Sequence, residues 1–309
     1  MTLDSVKRFG LMPHTGKDKA LEVGRQALAL LEAAGVQVVV EPEAASRLGR
    51  EDLARPTAEW RSLDAVVVVG GDGALLRAAR VIADRSAPLL AVKVGRLGFL
   101  TEVEHSELPA ALSRLLAGHY AVEERMMLRA RLYRDGRLVR EMDALNDVVV
   151  NRGTIARIIR IEVRVSDELV FDFAGDGIIV ATPTGSTGYS LSAGGPIVDP
   201  SVDALILTPI CPHALATRSV VVPPDEQVAV RVTAPHTDIT VTIDGQVAFG
   251  VSSGDVLRID RAPQPVRLVR FGPRRLYREL RERLGQGTAQ TMAEEGDLEP
   301  CDKPDTQPS

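Results

Sequence analysis

At 309 residues with 45% apolar side chains, the chain is long enough to build two hydrophobic cores. Its formal charge of −5 resides in the segment after Gly285, whose six acids and single Lys account for all of it; the neutral body argues against a nucleic-acid surface. Two cysteines, Cys211 and Cys301, are too few for a metal cluster and read as free thiols in a reducing cytoplasm. Asp4, Lys7 and Arg8 leave no room for a signal-peptide apolar region, and no apolar run approaches the ~20 residues of a membrane span.

In chain order, Val6–Met12 reads as a first strand and Asp18–Ala34 as an amphipathic helix stopped by Gly35. Val36–Val40 is a second strand, and a weaker helical piece surrounds Ala44–Leu48. Asp64–Arg80, DAVVVVGGDGALLRAAR, is the organising unit: a buried valine strand, a glycine turn at Gly70, Gly71 and Gly73, then a helical pattern from Ala74. A strand, a bare backbone turn and a helix N-terminus together form an anion site, because amide N–H groups and the helix dipole attract phosphate. Asp72 is the odd member of that turn. It either caps the helix or has a chemical task beside the phosphate. The loop lacks the third glycine of a dinucleotide fingerprint, with Leu76 in its place.

Leu89–Val94 is a further short strand leading to GRLGFLTEV, Gly95–Val103, and Leu108–Leu116 a closing helix. Strands alternating with helices imply a parallel α/β sheet, whose ligands bind at the carboxyl ends of the strands, so the 95–100 loop is expected to line the same crevice as GGDG. Near Met126 the character changes to short strands: Leu128–Tyr133 and Leu138–Glu141 flanking an Asp135-Gly136 hairpin turn, then Arg157–Val165, Leu169–Phe173, Ile178–Ala181, Leu205–Thr208, Val220–Val222, Val228–Val232, Ile239–Ile243 and Val256–Ile259. This is the pattern of an antiparallel β domain. Pro265–Phe271 adds one strand and Arg274–Leu284 a basic helix, before a polar, acidic tail expected to be disordered. The expected divisions are therefore 1–124, 125–265, 266–284 and 285–309.

The β region holds a second informative stretch, Gly175–Pro200, made largely of Gly, Ser, Thr and Pro around a single aromatic, Tyr189. Small hydroxyl residues around one ring suit a stacked planar base with its edge read by hydroxyls and amides; a long structural turn is the alternative. Asn146-Asp147 interrupts an apolar strand start, and such a pair suits two sugar hydroxyls or an ordinary turn. No histidine has a visible Ser/Asp partner arrangement, which weakens a hydrolase reading.

Taken together, GGDG at Gly70–Gly73, LGFLTEV at Leu97–Val103, Asn146-Asp147 and DG…TPTGST.YSLSAGGPI from Asp176 to Ile197 resemble the NAD kinase family over residues 5–284. GGDG alone is shared with diacylglycerol and sphingosine kinases and, distantly, with phosphofructokinases; the long second motif is the specific one. The resemblance implies a Rossmann-like α/β N-terminal domain, a β-rich NAD-binding C-terminal domain, and a last segment returning to the first. It implies a phosphotransferase that moves a phosphoryl group from ATP, or polyphosphate, to the 2′-hydroxyl of the adenosine ribose of NAD, in a homodimer or homotetramer. By similarity Asp72 is the proton acceptor, Gly70–Gly73 the phosphate-donor loop, and Gly73, Asn146 and Asp147 NAD contacts. Asp176 and Ala174 fall on the nicotinamide side, where Ala174 bears on the choice between NAD and NADH. Thr187, Gly188, Tyr189, Ser190, Leu191 and Ser192 wrap the adenine, and Arg157 and Gln246 fall near further contacts. Ala74, Asp147, Gly188 and Lys93 stand where the family more often has Thr, Glu, Ala and Asn, changes that bear on substrate preference more than on the reaction. No metal-ligand cluster is visible, so Mg²⁺ is expected to arrive with ATP. The rival readings are a lipid kinase on the same turn, which needs an apolar pocket, and a nucleotide sensor, which needs no Asp72.

Overall fold

In the computed structural model, residues 8–82, 86–95, 98–153, 158–214, 216–233, 239–272, 276–277 and 280–281 are described. Arg157 and the acidic tail lie outside them, as does most of the expected Arg274–Leu284 helix.

The first layer runs β1 (Arg8–Pro13), α1 (Asp18–Ala33), β2 (Gln37–Val40), α2 (Pro42–Leu48), β3 (Ala65–Gly70), α3 (Asp72–Val81), β4 (Leu89–Lys93), β5 (Val103–Glu104), α4 (Leu108–Leu116) and β6 (Ala121–Arg125). Its valine-rich strands are buried on both faces, as parallel strands between helices must be. On one side α1, α2 and α4 bury Leu21, Leu28, Leu31, Leu48, Leu108 and Leu112 against Phe9, Val67 and Leu90. On the other, α3 buries Leu75, Leu76 and Ala79 with Met12, Val66 and Val68.

Next come β7 (Leu128–Arg134), β8 (Arg137–Ala144), β9 (Asp147–Arg152), β10 (Ile159–Val165), β11 (Glu168–Gly175), β12 (Gly177–Ala181), α5 (Tyr189–Ser192), β13 (Leu205–Ile210), β14 (Val220–Val222), β15 (Val228–Thr233), β16 (Ile239–Ile243), β17 (Val247–Val251) and β18 (Val256–Arg261). Two six-stranded antiparallel sheets, ordered β11-β10-β15-β18-β7-β8 and β14-β13-β12-β9-β16-β17, enclose a shared core of Leu132, Val150, Ile161, Val180, Val230 and Val241. The Asp135-Gly136 turn joins β7 to β8 as the sequence predicts. β6 and β17 were not expected, and helix α3 starts at Asp72 rather than Ala74.

The chain then returns. β19 (Val266–Arg270) enters the first sheet between β4 and β6, giving the order β2-β1-β3-β4-β19-β6, with β5 beside β4. Pairing is parallel except at β6, which runs antiparallel to β19, so the expected parallel sheet has one antiparallel edge. Sheet and sandwich belong to one compact unit ending at Gly272. Leu145 between β8 and β9 and Met127 before β7 join the core of α3, so that helix is wedged between the two layers with its N-terminus at their junction. No helix among the described residues is long and apolar enough to cross a membrane.

Candidate active site

The GGDG turn stands at that junction. Gly71 precedes α3, and no side chain caps the helix. Nothing lies within 4 Å of where a Cβ on Gly71 would sit, so the turn is open to a ligand. Asp72 therefore does not cap its own helix. Its carboxylate faces the loop after β4 and accepts N–H bonds from Phe99 (2.8 Å) and Leu100 (3.1 Å). Gly98, Phe99 and Leu100 thus share the crevice with GGDG, as their place after β4 predicts. The fit is close: a Cβ on Gly98 would lie 1.9 Å from Asp72 Oδ1.

A second carboxylate organises the facing side. Asp244 sits at the tip of the β16–β17 hairpin with φ 51°, followed by Gly245 at φ 63°, the pair of positive values of a type I′ turn, which the Gln246 amide closes on the Ile243 carbonyl at 2.9 Å. Its carboxylate accepts the amides of Asn146 (2.7 Å), Leu145 (3.2 Å) and Asp147 (3.3 Å) and pairs with Arg80 of α3 at 3.1 Å. Arg80 also donates to Gln246 Oε1 (2.8 Å), whose amide donates to the Gly73 carbonyl (2.6 Å). One continuous chain of contacts therefore ties the glycine turn to Asn146-Asp147. Gln246 spends both ends of its amide in it. Burial pushes the Asp147 carboxyl up to about 7, helped by the negative charge of Asp244. Burial also raises Asp244, opposed by the three amides and Arg80.

The Gly/Ser/Thr stretch closes over this turn. Thr182 donates its amide to the Asn146 carbonyl (2.9 Å) and its hydroxyl to Leu145 (2.6 Å), while Gly185 presses so close that a Cβ would lie 2.0 Å from the Asn146 oxygen. A Cβ on Gly188 would lie 3.6 Å from Asn146 Nδ2 and 3.9 Å from Asp147 Oδ2, so these three residues share one patch. Several hydroxyls face inward instead of toward a base: Thr182 as above, Ser186 to the Pro183 carbonyl (2.6 Å), and Ser190 to Thr208 (2.9 Å). Tyr189 and Ser192 are exposed, with Thr187, Gly188 and Leu191 half-buried beside them.

Ala174 and Asp176 are not brought to this patch. They lie before β12, and Thr182 follows it, a run of about 20 Å at ~3.3 Å per residue. Asp176 is paired there with Arg152, a contact the sequence did not reveal. Lys93 pairs with Glu104. Among the described residues, no three His, Cys, Asp or Glu side chains gather into a metal-binding group.

A cavity of about 810 Å³ opens beside Gly71 and Gly73, walled by His14, Lys17, Arg77 and Arg80. Arg77 pairs with Glu41, and Arg80 is committed to Asp244. His14 and Lys17, on the loop after β1, were not picked out from sequence; their place after a parallel strand was the available signal.

Models of the ATP-NAD kinase N-terminal and C-terminal domains match residues 9–120 and 145–271. The chain belongs to the NAD kinase family. An NAD kinase of Symbiobacterium thermophilum is 46% identical over 278 residues, covering 90% of this chain and 98% of the relative. The crystal structure of a yeast NADH kinase complexed with NADH is similar in fold, with a TM-score of 0.85 at 24% identity, covering 92% of this chain and 89% of that one. An NAD kinase from Archaeoglobus fulgidus in complex with ATP gives a TM-score of 0.69 at 27% identity, covering 88% and 96%. In this NAD kinase family member, the GGDG turn and the 182–188 stretch meet at the junction between sheet and sandwich.

Proposed function

We propose that the chain phosphorylates the 2′-hydroxyl of the adenosine ribose of NAD, giving NADP, with ATP or polyphosphate as donor. The observation that carries the assignment is the Asp72 carboxylate, fixed by the Phe99 and Leu100 amides beside an uncapped, glycine-lined helix N-terminus. As the hydroxyl oxygen bonds to the terminal phosphorus, its proton passes to Asp72 and the bridging P–O bond breaks, releasing ADP or a shortened polyphosphate. Phosphoryl transfer asks mainly for positioning and charge neutralisation. Gly70–Gly73 receive the donor phosphates on open backbone, with Lys17 and His14 on the cavity wall. Mg²⁺ enters with ATP as part of the substrate, held by phosphate oxygens and water.

Asn146, Asp147, Gly188 and the Thr187–Ser192 turn take the adenosine, and Tyr189, exposed, offers its ring to the base. Gln246 shapes Gly73 through its side-chain amide. Arg157 completes the set carried over by similarity. Ala174 and Asp176 would serve the nicotinamide end, and their distance from Asn146 within one chain is accounted for if a homodimer or homotetramer brings them from a second copy. A cytoplasmic enzyme acting on free nucleotides, without nucleic acid or membrane, fits the neutral body of the chain.

An acceptor panel with purified protein and Mg²⁺-ATP tests the reading, offering NAD, NADH and dispersed diacylglycerol, with NADP(H) detected by an NADP-specific dehydrogenase. NADP production is expected. A general base contributes ~10²–10⁴-fold, so Asp72→Asn should lower kcat by about that factor while NAD binding survives. Phosphorylation of the lipid alone overturns the function; wild-type turnover in Asp72→Asn removes the base.

A further inference from the structure

Asp72 is held by a loop that is itself gripped from behind. Arg270 of β19 reaches the Leu100 carbonyl (3.5 Å) and Glu102 Oε2 (3.0 Å), and the other Glu102 oxygen accepts the Phe271 amide (2.8 Å). On its other side Arg270 donates to Glu123 of β6 (2.6 Å), which also accepts from Arg125 (3.0 Å). Arg125 in turn donates to the Thr184 hydroxyl at 3.2 Å. The row runs Glu102, Arg270, Glu123, Arg125, with side-chain exposures of 11, 14, 9 and 8%. One end holds the loop that donates to Asp72, and the other holds the TPTGST turn.

Alternating signs make the row neutral, yet burying four charges costs more than burying leucines of the same volume. Burial would push the Glu123 carboxyl up, but Arg125 and Arg270 outweigh it and hold the group below its ordinary range, so the row stays ionised at neutral pH. Such a row adds direction, because charge-assisted bonds fix the relative placement of the groups they join. Here those are a loop of the first sheet and a turn of the sandwich. The transfer needs the same two pieces in register, since the acceptor rests on one and its base on the other.

We infer that Arg125 is a positioning residue for phosphoryl transfer, acting through Glu123 and Arg270 on the loop that fixes Asp72 and coupling that loop to the TPTGST turn. The inference rests on the assignment of Asp72 as proton acceptor. None of the four side chains touches the reacting atoms: an effect through the loop reaches the reaction by way of Asp72, whereas one through the TPTGST turn would appear in NAD affinity.

A double-mutant cycle in the full-length protein tests this. Arg125→Met keeps the stem and removes the charge; Glu123→Gln is isosteric and serves where the first variant fails to fold. Each should retain the wild-type circular-dichroism spectrum, leave the NAD dissociation constant within about threefold, and lower kcat about 10–100-fold, the scale of a small misplacement of a reacting group. In Asp72→Asn the same change should cost no more than about twofold further, since a base already removed cannot be misplaced. Wild-type turnover in Glu123→Gln, or losses that multiply in the double variant while Asp72→Asn alone is disabled, overturns the inference and leaves the function intact. Wild-type turnover in Asp72→Asn overturns both.

Discussion

Gly98 has no side chain because the carboxylate of Asp72 occupies the place of one: a Cβ there would lie 1.9 Å from Oδ1 and 2.3 Å from Cγ. The two residues come from separate motifs, one at the first turn of α3 and one after β4, and their contact joins GGDG to LGFLTEV. Gly98→Ala should push Asp72 off the Phe99 and Leu100 amides and lower kcat by about tenfold or more. Asn146 and Asp147 are untouched, so NAD affinity should stay within about threefold. Steady-state kinetics beside a direct NAD titration checks the split; a turnover unchanged from wild type would show that the carboxylate has another seat.

Much of this arrangement was legible in the sequence because it rests on local pattern. The valine run, the glycines and the following apolar face place β3, the turn and α3 without tertiary information. What escaped depends on distant partners. β6 reads AVEER, with no apolar alternation, and is a strand because β19 pairs with it from the far end of the chain. β17 is a short edge strand interrupted by Gly250. The inward turn of the Ser186 and Ser190 hydroxyls depends on Pro183 and Thr208, and no spacing rule distinguishes a hydroxyl that reads a base from one that braces a loop. The grip of Asp244 on Asn146 spans 98 residues and leaves no local signal.

Asp147 gives the fold and the ligand opposite pH preferences. Its carboxyl is raised to about 7 from an ordinary 3.8, by burial and then by Asp244. Between those values the folded state binds more protons than the unfolded one, so this contribution is full below about pH 4 and is lost as pH rises through 7. Melting temperatures from pH 5.5 to 8.5 should therefore show Asp147→Asn gaining on wild type as pH rises. Ribose hydroxyls favour the ionised carboxylate, so KM for NAD should rise below pH 7 in wild type and stay flat in the Asn variant. Parallel profiles for both proteins would exclude Asp147 as the titrating group.

Arg80 neutralises the buried end of the other connection. Its side chain is 9% exposed and that of Asp244 fully buried, and Arg80 is the cation paired with a carboxylate that also lies close enough to Asp147 to raise it. Removing one member of a buried pair typically costs about 3–5 kcal/mol, because the remaining charge is left without compensation. Arg80→Met should thus destabilise strongly, while Arg80→Met with Asp244→Asn should recover most of the loss, since an Asn oxygen still accepts the Asn146 amide. Gln246→Ala isolates the mechanical part of the same chain. It frees the Gly73 carbonyl without stranding a charge, so kcat should fall about three- to tenfold with little change in stability or in KM for NAD. A rise in KM at constant kcat would instead make Gln246 a direct contact to NAD, and the glycine turn would then be held by Asp72 and its own backbone.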